Sequence, residues 1–202
     1  MPLIPSRAAL PTDSGTDYAD LLAQLAADSA AQRRTAAREL QAHRDAAAAL
    51  VAQLQNESSP SVREAILLTL AHLRDSVALQ GLVDCLRSED AALRNEAIAA
   101  MQQLPEEVAP LMSQLLTDPD SDVRIFAVNI LESLRHPEIE EWLLQVIEQD
   151  AHSNVCATAV DLLGEVGSAR ARGPLQRLKQ RFPDDPFIRF AADLALQRLE
   201  AP

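Results

Sequence analysis

The residues of this chain with types that could do chemistry are its four histidines, two cysteines and a few closely spaced carboxylates. His43, His72, His136 and His152 are scattered, and none is followed by Glu. Asp161 and Glu165 stand one helical turn apart, and Glu138, Glu140 and Glu141 form a short acidic run. Carboxylates at i, i+4 can touch one cation, but without a third ligand a solvated helix face is the expectation. Cys85 and Cys156 lack any CxxC spacing, so neither a disulfide framework nor a zinc site is implied. Cys156 reads as a buried small hydrophobe, because no neighbouring cation in the sequence would activate it. No Ser-His-Asp order, phosphate-cradling glycine loop or nucleophile elbow occurs. The expectation is a non-enzymatic chain with no catalytic residue, no cofactor and no metal.

One charged residue does recur in register. Arg33, Arg63, Arg94, Arg124 and Arg189 each follow a helix anchor by one position. The anchors Gln32, Val62, Leu93, Val123, Val155 and Ile188 step by 30, 31, 30, 32 and 33 residues. A row of arginines could bind anions. One residue per repeat at a fixed phase reads better as a structural device, bonding the preceding turn or an adjacent repeat.

The elements that position these residues follow from the same period. Repeats of 20–50 residues mean a stacked array instead of one closed globule. Each repeat holds two helices. The first carries apolar pairs such as Leu50 and Leu54, Leu82 and Leu86, or Trp142 and Val146, which share a face at i, i+4. Trp142 is expected to pack between repeats. The second helix follows a polar turn such as Asp118-Pro119-Asp120-Ser121-Asp122, which supplies capping oxygens and a helix-starting Pro. On the second helix, the positions zero, plus four, plus five and plus eight from the anchor form one apolar face, as in Val123, Ala127, Val128 and Leu131. The small residue at plus four lets neighbouring helices approach closely, and no single repeat can bury that face alone.

Composition agrees. Hydrophobic residues make 48 % of the chain but aromatics only 3 %, so the core is built of the helix formers Ala and Leu. The formal net charge of −12 argues against nucleic-acid phosphate and anionic membrane as partners. No run of 18 apolar residues would span a bilayer, and the first ten residues lack a signal-peptide core. A reducing cytoplasm is expected. Residues 1–16 read as a flexible arm, followed by a single repeat domain over 17–202 with units at about 17–43, 44–73, 75–104, 106–135, 137–166 and 168–200.

The second-helix face pointing away from the core is the candidate binding site. It offers Glu64, Leu68 and His72, then Asn95 and Glu96, then Ile125, Phe126, Asn129 and Glu132, then Asp161. Leu68, Ile125 and Phe126 are apolar where solvent is expected, within a polar border, which is the anatomy of a protein-binding patch. Burial against the next helix is the competing reading. In the sixth repeat Phe190 and Leu194 occupy the same face, and apolar Leu196 and Leu199 on that helix leave room for weak self-association.

The pattern resembles the HEAT repeat family, in particular the short bacterial HEAT-like units of phycobilisome lyases. It is complete in Asp122, Val123, Arg124, Ala127 and Leu131, and Arg33, Arg63, Arg94 and Arg189 keep the family's Arg. Cys156 replaces that Arg in the fifth repeat and Gln32 replaces the first apolar anchor. The family Asp survives only at Asp122. The resemblance implies an all-α, right-handed superhelix, a HEAT/armadillo-like solenoid of about six hairpins whose second helices line a concave side that binds another macromolecule. It therefore implies a scaffold or adaptor for another protein, monomeric or weakly homo-oligomeric. The alternative is an accessory subunit of an enzyme, either bilin-lyase-like or associated with an oxidoreductase. The HEAT-like deoxyhypusine hydroxylases bind iron through His-Glu pairs, which are missing here. HEAT-like DNA glycosylases use a basic groove, and only Arg34 and Arg38 of the first repeat suit that.

Overall fold

The computed structural model describes residues 17–199, so the arm expected over 1–16 lies outside the described residues, as do 200–202. Among the described residues all regular structure is helical. No helix among them is long and apolar enough to cross a membrane. Backbone contacts group the chain into two compact bodies, meeting between Thr69 and Leu70.

In the first body, α1 (Tyr18–Leu25) packs on α2 (Ala30–Glu39), followed by α3 (Ala47–Leu54) and the start of α4 (Pro60–Leu73). Leu21, Leu25, Ala36, Leu50, Leu54, Val62 and Ile66 form its core. Gln32, the polar anchor, is exposed. Thr69 is buried, and its hydroxyl donates to the Ala37 carbonyl at 2.8 Å, so a polar side chain on the inner face of α4 is satisfied.

The second body continues as first and second helices in alternation. α5 (Ser76–Cys85) packs on α6 (Ala91–Met101). Then come α7 (Pro105–Val108) and α8 (Met112–Leu115), which together stand where one first helix is expected. The 3-10 turn between them contains Pro110, whose missing N–H cannot continue an α-helical ladder. α9 (Ser121–Leu131), α10 (Ile139–Gln149), α11 (Ser153–Val166), α12 (Arg172–Arg181) and α13 (Pro186–Arg198) complete the body. The second helices pack in sequence order, α6 on α9, α9 on α11, and α11 on α13, while α10 packs on α12. The stacking residues Ala97, Ala127, Ala159 and Ala192 are fully buried, as the plus-four position requires.

The turns start the helices as their residues dictate. Asp90 accepts from the N–H groups of Ala92 and Leu93, Asp120 from Asp122, and Asp185 from Phe187 and Ile188. Arg74 ends α4 with φ 56°, a left-handed residue that is not glycine. Its guanidinium meets Glu107 at 2.8 Å. Gly167 ends α11 where space is short, because a Cβ there would lie 2.5 Å from the Leu163 carbonyl oxygen. Gly167→Ala is therefore expected to cost about 1–3 kcal/mol through forced backbone movement. A urea midpoint equal to that of the unsubstituted protein would contradict this.

Candidate functional site: arginine clasps and the second-helix face

The recurring arginines stand in the first turn of the second helices, and three of them meet the carbonyls of the turn before the helix. Arg33 donates to Ala27 and Asp28, Arg94 to Ser88 at 2.6 Å, and Arg124 to Asp118 at 2.8 Å. Two of them also reach a carboxylate in the following turn with both arms of the guanidinium. Arg33 grips Glu57 at 2.7 and 2.8 Å, and Arg124 grips Asp150 at 2.6 and 3.0 Å. Such forked pairs fix direction as well as distance. Each carboxylate is pinned further by a backbone N–H two residues on, Ser59 for Glu57 and His152 for Asp150.

A third acid, Asp118, stands at the same phase and accepts from the N–H of Asp120, but its guanidinium partner is Arg87. Arg94 instead lies over the Phe126 ring, 5.5 Å from its centre, a cation–π contact. Arg63 is buried at 7 %, and Arg189 is exposed. One phase of the repeat therefore carries different environments.

The clasps shift titration as their geometry requires. The Arg33 guanidinium, helped by the Ser59 N–H and Gln53 and opposed by burial, holds the Glu57 carboxyl down at about 2. Arg87 likewise lowers Asp118. Arg33 and Arg124 are raised by their carboxylate partners. The acids of this network sit five positions before the anchor, at Glu57, Asp118 and Asp150. The family-type Asp122, one position before its anchor, is exposed and takes no part. A search of the 30-residue comb for acids at every phase would have found them.

The candidate binding residues divide between the two bodies. Glu64 and Leu68 belong to the first, both exposed, with Leu68 at 49 %. His72 is exposed on the last turn of α4. In the second body Asn95 is exposed and Glu96 half-buried on α6; Ile125, Phe126 and Asn129 are half-buried and Glu132 is exposed on α9; Asp161 is exposed on α11. Phe126 is thus partly covered by Arg94. The Gln102 amide donates to the Asn129 carbonyl at 2.9 Å, which joins α6 to α9. Between α9 and α11 runs a groove of about 200 Å³ lined by Asn129, Glu132, Thr158, Asp161 and Glu165. That is smaller than the roughly 300–1,000 Å³ of sites that enclose a small ligand. The most exposed large apolar side chains on the second helices are Phe187 at 59 % and Phe190 at 67 %, both on α13.

Other chemistry-bearing residues are packed into the structure. His136 stacks on Trp142 at 4.9 Å between ring centres, and Trp142 is buried. Cys156 is buried, yet it does have a cationic neighbour. The Arg181 Nη2 lies 3.1 Å from its Sγ, brought from 25 residues away by α12. Burial outweighs that cation and pushes the thiol up to about 11, and burial does the same for Cys85. Both thiols are therefore weak nucleophiles at neutral pH. Among the described residues no group of three His, Cys, Asp or Glu could hold a metal ion.

The HEAT repeat family model matches residues 18–102 and 108–200. No curated protein matches the chain. Among solved structures, similarity extends to the archaeal HEAT-like repeats protein of Thermococcus onnurineus NA1. It shares 18 % identity over 91 % of this chain and 88 % of that one, with a TM-score of 0.45. The complex of CpcE and CpcF of phycocyanin lyase from Nostoc sp. PCC7120 matches at 18 % identity over 98 % and 100 %, TM-score 0.39. A designed armadillo repeat protein in complex with the peptide (KR)4 matches at 17 % over 92 % and 100 %, TM-score 0.43. With helical hairpins recurring every 30 or so residues, second helices stacked through buried alanines, and a repeat model spanning nearly all described residues, the chain belongs to the HEAT repeat family.

Proposed function

We propose that this protein is a non-enzymatic scaffold that holds another protein on the second-helix face of its C-terminal body. The observation that carries the reading is the contrast between the starts of the second helices α6 and α9 and the outward face of the second helices that follow. The starts of α6 and α9 are locked by arginine to the turn before them, and α9 also to the turn after it. The outward face between α9 and α13 keeps carboxylates and aromatic rings open to solvent. A rigid rack with an open, mixed polar and apolar face is suited to distributed protein contacts and supplies no group poised for bond making. The scaffold works in the cytoplasm, as a monomer or weak homo-oligomer, and takes neither nucleic acid nor membrane as its partner.

A photo-crosslinking residue placed at Glu132, and a control at Gln145 on α10, test this in the native cell. Glu132 is expected to yield one dominant protein adduct and Gln145 none. Equal labelling from both positions, or none from Glu132, would remove the reading.

A further inference from the structure

The most uncovered apolar surface on the second helices lies on α13, where Phe187, Phe190 and Leu194 follow i, i+3, i+7 spacing and so form one stripe. The corresponding positions on α11 are Asn154, Ala157 and Asp161, and on α9 they are Asp122, Ile125 and Asn129. Exposed rings at two of these three places cost hydration free energy that only a covering surface recovers. Among the described residues no helix covers the stripe.

The neighbouring surface says what chemistry such a cover must have. α11 and α13 run in the same direction in close contact. A Cβ at Gly164 would lie 3.5 Å from Ala195 Cα, and one at Gly167 would lie 3.4 Å from Leu199. That register sets Asp161 level with the turn of α13 carrying Phe190 and Leu194. Beyond it lie Glu165 and, across the α9–α11 groove, Glu132. The groove lining contains three carboxylates and no Lys or Arg, and among the described residues no ion pair joins any of the three. Arg198 lays its stem and one guanidinium nitrogen against Gly164, each 3.4 Å from where a Cβ there would stand, so the three carboxylates share one nearby cation. An apolar stripe flanked on one side by three carboxylates against one arginine carries net negative charge there, and selects a ligand with the opposite arrangement.

We propose that the occupant is a basic amphipathic helix of a partner protein. Its apolar i, i+3, i+7 residues rest on Phe187, Phe190 and Leu194, and its Lys or Arg side chains lie over Asp161, Glu165 and Glu132. This names the partner class for the face under Proposed function and rests on that reading. Helix-in-groove recognition needs only such a stripe and a charged edge, and salt sensitivity follows because the carboxylates are exposed.

The test uses the full chain and two synthetic 18-residue helices of identical apolar pattern, one Leu/Lys and one Leu/Glu, read by fluorescence anisotropy. The Leu/Lys helix is expected to bind and the Leu/Glu helix not to. Phe190→Ser, at a position 67 % exposed, should keep the circular dichroism and melting temperature while weakening binding about tenfold, the scale of one central aromatic anchor. Asp161→Lys with Glu165→Lys should weaken the Leu/Lys helix and admit the Leu/Glu helix. Equal binding of both peptides by the unsubstituted protein, or unchanged affinity in a folded Phe190→Ser variant, overturns the proposal. So does gel filtration showing that Phe190→Ser turns a dimer into a monomer while the Leu/Lys helix fails to compete, since the stripe then belongs to a second copy. Adducts at Glu132 with a partner that lacks a basic helix would defeat this inference while leaving the scaffold reading intact.

Discussion

Replacing Arg124 by methionine is expected to cost about 3 kcal/mol, the scale on which removal of one partner from a buried, forked ion pair is felt. For a chain of this size that is roughly a 6–12 °C fall in melting temperature. Methionine keeps most of the stem, so the lost quantity is the guanidinium. Arg124 is 15 % exposed and Asp150 6 %. Without the cation, Asp150 keeps only the His152 N–H, and the Asp118 carbonyl loses its side-chain donor. Asp150→Asn in the same background should recover part of the loss, since a neutral amide still accepts from His152. A double-mutant cycle should therefore show coupling well above 0.5 kcal/mol, the range in which unrelated sites add. Arg189→Ala is the control. It changes the same letter of the repeat at an exposed position, and surface changes of that kind stay within about 0.5 kcal/mol. Equal losses at Arg124 and Arg189 would show that the clasp, as opposed to repeat position, does not decide stability.

That contrast marks the limit of what the sequence makes legible. The comb of anchors and plus-four alanines is visible because each repeat must bury the same face against its neighbours, so the same residue sizes return at the same phase. The placing of helices follows from it, and so does the polar turn before each second helix. The clasps do not follow. Arg33 with Glu57 and Arg124 with Asp150 join residues 24 and 26 apart, and nothing local in the chain marks them as partners. Asp118 shows the difficulty. Its phase matches Glu57 and Asp150, yet Arg87 takes it and Arg94 turns to Phe126. That turn also explains Phe126, an apolar residue on an outward face that a guanidinium partly shields. Arg181 reaches Cys156 for the same reason the clasps form, because stacking brings the last residue of α12 to the start of α11. At α13 the reasoning fails in the other direction. In the sequence Phe190 and Leu194 are only two more apolar residues on the outward face, and Phe187 attracts no notice. Only the packing of α13 shows that Phe187 and Phe190 stand in solvent.

Glu57→Gln carries the second large effect, and pH separates it from simple loss of packing. The Glu57 side chain is 1 % exposed, and its carboxyl is held at about 2 instead of the ordinary 4.5. A carboxylate with a depressed folded value contributes stability above its unfolded pKa and surrenders it as pH falls toward the folded one. A displacement of this size corresponds to about 3 kcal/mol at neutral pH. The glutamine variant has no proton to take up. It should therefore lie about 3 kcal/mol below the unsubstituted protein at pH 7, with the gap closing progressively as pH falls from about 4.5 to about 2. Asp118 is also depressed, but it titrates alike in both proteins and cancels from the difference. Urea midpoints measured side by side from pH 7 down to pH 3 check the prediction. A gap that stays constant over that range would mean Glu57 acts through shape alone, with Arg33 contributing no charge-dependent grip. A closing gap would establish that this turn of the first body is held by a charge pair.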